Sequence, residues 1–250
     1  MALRRAPSLV VLAVVAWLAA LLAIDRAIPK GDQWLLAVAT AGFLVAGCAL
    51  LPPVRRWQVA VVVAVASCFE VLGSIIWGVY HYRHGNLPLF VPPAHGLVYL
   101  GGLALSRTRW VVHRPQVLVR LALAGAAGWG VLGLTGLLGR HDVIGAFGCF
   151  VFSCFVLSKR NRAPQVLGGV FFLVAALEIY GTAIGTWRWE AVVPGLRLPD
   201  GNPPSGAVSG YVIFDLVAFW AAPRLLAAAA PLATRLPRRR AASAPARRAS

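Results

Sequence analysis

Charge is what this chain has least of. Only 13% of its 250 residues are charged, and Asp and Glu together number 8 against 24 Lys and Arg. A soluble domain carries about 25% charged residues. With 59% hydrophobic residues and a mean hydropathy of +0.74, a water-exposed globule is excluded. Cysteine is scarce too: Cys48, Cys68, Cys149 and Cys154 all lie in apolar runs and form no CxxC pair. Neither a disulfide framework nor a zinc site is expected from them. No ATP-binding loop occurs, which argues against a primary pump. No RNA- or DNA-binding signature surrounds the basic residues, so the net charge of +16 implies no nucleic-acid partner. The apolar run after Arg4-Arg5 lacks a small-x-small cleavage site before Asp25, so it is read as an uncleaved first helix.

What the chain does have is long apolar runs. Crossing a bilayer core of ~30 Å takes about 20 apolar residues as a helix. Eight spans follow from the runs and their breakers: 8–27, 33–51, 58–80, 93–106, 115–138, 143–158, 164–185 and 206–230. The fourth and sixth are short enough to be half-helices or re-entrant segments. The expected fold is all-α, a polytopic membrane bundle of about eight helices over residues 1–235, in halves 1–110 and 111–235. Residues 236–250, rich in Arg, Ala, Pro and Ser, form a basic tail expected to be disordered beside anionic lipid. Counting Lys and Arg in alternate loops gives 16 on one side and 6 on the other, with Arg120 and Arg224 inside spans. The richer side reads as cytoplasmic and carries both termini. Gly130, Gly133, Gly136 and Gly139 at spacing three predict a close packing face on the fifth span.

Two segments match each other. Glu70, Gly73, Ser74 and Ile76 lie over Glu178, Gly181, Thr182 and Ile184; after an offset of one residue, Gly78-x-Tyr80-x-Tyr82 lies over Gly185-x-Trp187-x-Trp189. Pro92-Pro93 then lies over Pro203-Pro204. The copies fall on spans three to four and seven to eight and run in the same direction, so the repeat is parallel: two four-helix halves.

Glu70 lies 14 residues past Arg56, about 21 Å of helix, and Glu178 lies 16 past Arg162, about 24 Å. Both carboxyls therefore sit in the outer half of the bilayer core. A carboxylate buried there costs at least ~2.5 kcal/mol, so such residues face an interior or a watered cavity. Gly73 and Ser74, and likewise Gly181 and Thr182, share a helix face with their glutamate, leaving room beside the carboxyl and offering it a hydroxyl. Two carboxyls facing each other across a pseudo-two-fold axis form the candidate catalytic pair. The same residues in a purely structural role would lock the bundle by hydrogen bonds between helices. Tyr80, Tyr82, Trp187 and Trp189 fall where two helices emerge, and serve either as an interfacial aromatic belt or as the walls of a pocket for a cation or a flat conjugated ligand. His95 is a candidate proton partner for Glu70. His81 and His84 share its face, but the second copy has no histidine, so no metal is implied. Asp215, one turn after Tyr211, completes the catalytic candidates; Tyr99 and Asn202 join the binding candidates.

The residues Glu70, Gly73, Gly78, Tyr80, Tyr82 and Pro92, with the Trp187-x-Trp189 pair before Gly201-Asn202-Pro203, resemble the membrane carotenoid hydratases and the heterodimeric-type lycopene cyclases. The strings "LPLFVPPAHGLVY" and "GNPPSG" resemble a group of bacterial multi-pass membrane proteins. The second resemblance implies a membrane fold in a bacterial cell membrane and no activity. The first implies acid catalysis on a nonpolar isoprenoid.

Three functions stay open at this point: an enzyme acting on an isoprenoid or other lipid-phase substrate, a proton-coupled secondary transporter, and a non-catalytic membrane scaffold. The partners expected are membrane lipid and a nonpolar ligand; no cofactor is implied. The orientation is testable. A reporter that fluoresces only in the cytoplasm should light up when fused after Ser250, and a phosphatase active only outside should stay silent there; the reverse pair of signals refutes the topology.

Overall fold

The structure is a computed structural model, and it describes residues 6–158, 161 and 163–229. The basic tail at 236–250 and the loop cations Lys159, Arg160 and Arg162 lie outside the described residues. Eight helices of fifteen residues or more follow one another: α1 Pro7–Ala27, α2 Gln33–Ala49, α3 Pro53–Glu70, α4 Val91–Leu105, α5 Pro115–Thr135, α6 Val143–Leu157, α7 Pro164–Ala183 and α8 Val208–Ala229. A helical turn at Arg109–His113 links α4 to α5. Seven match an expected span to within three residues at each end; α3 starts five residues before the expected 58–80 and, with the π turn that follows it, reaches Trp77. Proline at the first helical positions starts α1, α3, α4, α5 and α7, where a missing N–H costs nothing.

Six helices are long and apolar enough to cross a membrane: Pro7–Ala27, Lys30–Ala49, Pro53–Trp77, Pro115–Thr135, Pro164–Ala183 and Val208–Ala229. α4 and α6, the two short runs, are fifteen residues each, about 22 Å of rise. α4 is covered by its neighbours along most of its length. It is flanked by α1, α2, α3 and α7, and every residue from His95 to Ala104 is buried. α6 packs against α5 and, more lightly, α8.

The core of the bundle is a reciprocal crossing: α3 lies on α8, and α4 lies on α7. The second crossing is a backbone contact. A Cβ on Gly102 would stand 2.9 Å from the Val170 nitrogen, and one on Gly169 would stand 2.7 Å from the Gly102 oxygen. Small residues let helices approach this closely where lipid gives no hydrophobic drive. The glycine run on α5 divides. Gly130 and Gly133 pack against Cys149 and Asp142, whereas Gly136 and Gly139 take left-handed backbone at and after the helix end. They terminate the helix, so the packing face extends over only the first two.

α3 does not stop at Glu70. It widens into a π-helical turn, Val71–Trp77, and ends at Gly78 with φ 71°. α7 stays α-helical, and Gly185 follows with φ 76°. The π turn, with its i→i+5 bonding, takes up the one extra residue between Glu70 and Gly78. Beyond each glycine a short strand forms: β1 Tyr80–Tyr82 pairs antiparallel with β2 Trp187–Trp189, with Tyr80 opposite Trp189 and Tyr82 opposite Trp187. The ribbon is closed at both ends by Arg83 N–H to the Thr186 carbonyl and Glu190 N–H to the Val79 carbonyl, both 2.9 Å.

Gly102→Ala and Gly169→Ala should each destabilise the folded protein by about 1–3 kcal/mol, the usual cost of overpacking. Gly128→Ala, with open space around its Cβ, should be neutral or slightly stabilising. Thermal unfolding of the three variants in detergent, followed by tryptophan fluorescence, checks the order.

Candidate functional site

Each glutamate is clamped by the aromatic pair that follows it. Glu70 is buried, and its Oε2 accepts from the Tyr80 hydroxyl at 2.7 Å and the Tyr82 hydroxyl at 2.8 Å. Glu178 is buried, and its Oε2 accepts from the indole N–H of Trp187 at 3.0 Å and of Trp189 at 3.1 Å. The chain must fold back sharply to do this, and the left-handed glycines permit it. Gly73 and Gly181 are needed for a second reason: a Cβ on either would run into the Tyr80 or Trp187 ring.

His95, at the start of α4, completes the Glu70 side. Its Nδ1 is 3.0 Å from the Val91 carbonyl, an acceptor only, so Nδ1 carries hydrogen. Nε2 then faces Glu70 Oε1 at 3.3 Å. One proton placed between them is held by either the carboxyl or the imidazole. The Tyr211 ring of α8 stacks on His95, with centroids 5.1 Å apart and planes at 16°.

These groups line one cavity of about 260 Å³. Glu70, Glu178, His95, Tyr80, Tyr82, Trp187, Trp189 and Tyr211 supply its polar edges, and residues such as Leu18, Leu22, Phe69, Phe90 and Phe214 supply the apolar walls. The aromatics therefore line the cavity, whose rim includes the exposed Phe69, Leu72 and Trp77. Tyr80 and Trp189 approach to 4.5 Å between centroids.

The other sequence candidates stand elsewhere. The Ser74 and Thr182 hydroxyls donate to the backbone carbonyls of Glu70 and Glu178, at 2.8 and 2.7 Å, and not to the carboxyls. A short hydroxyl in a helix reaches the i−4 carbonyl most readily; the expected contact with the carboxyl is corrected on that ground. Tyr99 points toward the opposite end of α4 and donates to Gln58 Oε1 at 2.7 Å. Asn202 does not line the cavity; its Oδ1 accepts from the Trp189 backbone N–H at 2.9 Å and steadies β2. Asp215 is 1% exposed and also stands outside the cavity lining.

Several organising groups escaped the sequence reading. Asp142 accepts from Gly145 N–H at 2.8 Å, Gly201 N–H at 3.0 Å and Ser205 N–H at 2.6 Å, so one carboxylate pins the loop after β2 to the start of α6. The local signal existed, since an Asp directly before an apolar run is an N-cap signature. Its two loop partners, about sixty residues away, left no trace. On the first half, Gln33 donates to Asp25 at 2.6 Å, and Asn86 donates to Gln33 at 2.9 Å. Arg83 caps the Asp25 and Ile28 carbonyls at the end of α1.

No protein-family model, curated protein or solved structure matches the chain.

The Asp142 loop has a pH signature. Asp200 is buried beside Asp142, and both its carboxyl oxygens lack a hydrogen-bond partner. Burial first, and the Asp142 charge second, push its pKa from 3.8 up to about 7. The folded loop thus binds this proton more tightly than the unfolded chain. Its contribution to stability is present at low pH and is lost as pH rises from about 4 through about 7. Proteolysis within 191–206 should therefore be several-fold slower at pH 5.5 than at pH 8. Asp200→Asn should erase most of that difference; an unchanged pH dependence in the variant refutes the assignment.

Proposed function

We propose that the chain is a membrane enzyme working by acid catalysis on an isoprenoid or comparable lipid-phase alkene. In this reading two four-helix halves, α1–α4 and α5–α8, supply one clamped glutamate each to the shared cavity, which α1, α3, α4, α7 and α8 line. The observation that carries the proposal is the pairing of two buried carboxyls, each held by two aromatic donors, on one apolar cavity inside a membrane bundle.

The cavity, at about 260 Å³, lies near the small end of ligand pockets, which run ~300–1,000 Å³. It suits an end group of a long nonpolar substrate whose remainder lies in lipid. Glu70, in its acid form, gives its proton to one alkene carbon. The π electrons form the new C–H bond, and the neighbouring carbon becomes a cation. The faces of the Tyr and Trp rings and the Glu178 carboxylate, fixed by two indoles, stabilise that charge. Capture by water adds H and OH across the double bond, with the water proton passing to His95 and back to Glu70. Capture by an internal alkene, followed by proton loss to the same pair, gives a ring and no net change in composition. A general acid of this kind contributes about 10²–10⁴-fold.

A second reading is a proton-coupled secondary transporter. The reciprocal α3–α8 and α4–α7 crossings favour it, since equivalent halves with matched carboxyls are a transporter architecture. A non-catalytic scaffold is the third.

Co-expression with a polyene pathway, with products read by chromatography and mass spectrometry, tests the enzyme. New hydrated or cyclised products should appear, and Glu70→Gln should reduce them at least a hundredfold while the protein stays folded. An unchanged lipid and pigment profile in the parent overturns it. Proton-dependent flux in vesicles, lost in both Glu70→Gln and Glu178→Gln, marks the transporter instead.

A further inference from the structure

The cavity lies toward the ribbon end of the bundle, where the ring clamps stand over the glutamates. A polar seam leads from it the other way. Gln58 and Glu70 lie twelve residues apart on one buried stripe of α3, with Val62 and Ala66 between them. On α4, Tyr99 follows His95 by four residues, and on α8, Asp215 follows Tyr211 by four. α4 and α8 both pack on α3 and meet through the stacked His95 and Tyr211 rings, and each of the three helices carries one polar group at the cavity and a second one farther toward the side of Arg55 and Arg107.

Within the second set, Tyr99 and Gln58 are joined by a hydrogen bond. The Tyr99 hydroxyl and the half-exposed Arg55 guanidinium both donate to Gln58 Oε1 at 2.7 Å. Asp215 lies within electrostatic reach of both the Tyr99 and the Tyr211 hydroxyls. Tyr211 is in turn within reach of Glu70 and Glu178, and its ring stacks on His95. Asp215 itself is 1% exposed, and its Oδ2 has no hydrogen-bond partner. A buried carboxyl oxygen left unpaired is costly, and bundle locking does not account for it, because a lock needs a partner.

We propose that Asp215, with Tyr99 and Gln58, is the proton port that joins the cavity carboxyls to the arginine-rich face. The proposal rests on the reading of Glu70 as a proton donor, and it adds that the site is charged from the far side of the membrane and not across the nearby ribbon. Each step exchanges one O–H bond for another: a proton enters past Arg55 and Gln58, resides on Asp215, and passes by the Tyr211 hydroxyl to the Glu70–His95 pair. No electrons move and no co-reactant is needed. The charged and titratable groups along the route are Arg55 and Arg107 at its mouth, Tyr99, Asp215 and Tyr211 within it, and Glu70, His95 and Glu178 at its end.

The test is the rate at which the Glu70 carboxyl exchanges its proton for deuterium. The full chain is placed in lipid nanodiscs and followed by infrared spectroscopy, at the pH where the carbonyl band missing from Glu70→Gln is at full intensity. Asp215→Asn and Gln58→Leu should each slow that exchange at least tenfold, whereas His81→Gln on the exposed ribbon should leave it unchanged. If Asp215→Asn fails to fold, Gln58→Leu and Tyr99→Phe carry the test. An unchanged rate in the seam variants, or slowing in His81→Gln alone, overturns the port. Product analysis of Glu70→Gln decides the acid reading separately, because it does not depend on this rate.

Discussion

A carboxyl inside an apolar bundle is costly unless it is given hydrogen-bond donors, and much of this molecule follows from supplying them at two positions. Membrane burial of a charged carboxylate costs at least ~2.5 kcal/mol. Hydrogen bonds to a charged group return about 1.5–3 kcal/mol each, so two converging donors are enough to offset it. The donors here come from rings attached nine to twelve residues downstream. The chain has to leave the helix, reverse through a left-handed glycine and run back as a strand. Gly78, Gly185, the β1–β2 ribbon and the small residues at 73 and 181 are all consequences of that reversal.

The two clamps are alike in geometry and different in chemistry. A phenol donates and accepts, so Tyr80 and Tyr82 can pass or adjust a proton at Glu70; an indole N–H only donates, so Trp187 and Trp189 fix Glu178 as an acceptor. His95 is present on the Glu70 side alone. This division assigns proton movement to Glu70 and an acceptor's role to Glu178 in the proposed reaction, an asymmetry built on an otherwise matched frame.

Rigidity at the ribbon comes from its supports. Asp142 gathers three backbone N–H groups from two segments, and Asp25 with Gln33, Asn86 and Arg83 ties the first loop to the end of α1. Ring donors positioned by strands that are themselves anchored hold a carboxyl to one geometry, which the proposed acid catalysis requires. The fully covered α4 serves the same end, since His95 sits on a helix walled by four others.

Apolar run length placed all eight helices, and proline marked most of their starts, because hydrophobic periodicity and lack of an N–H act locally. The matched Glu-Gly-hydroxyl strings were equally legible, as was the one-residue offset, whose physical cause is the π turn after Glu70. Only the tertiary structure decided where the side chains go. Ser74 and Thr182 were drawn to their own backbone carbonyls. The four aromatics came to line the cavity. Tyr211 joined the site from a helix, 22 residues past Trp189 in sequence, and Asp142 found partners about sixty residues away. Helix positions depend on neighbours in sequence, but a hydrogen bond to a buried carboxyl depends on which helices cross, and the glycine contacts between α4 and α7 set part of that crossing.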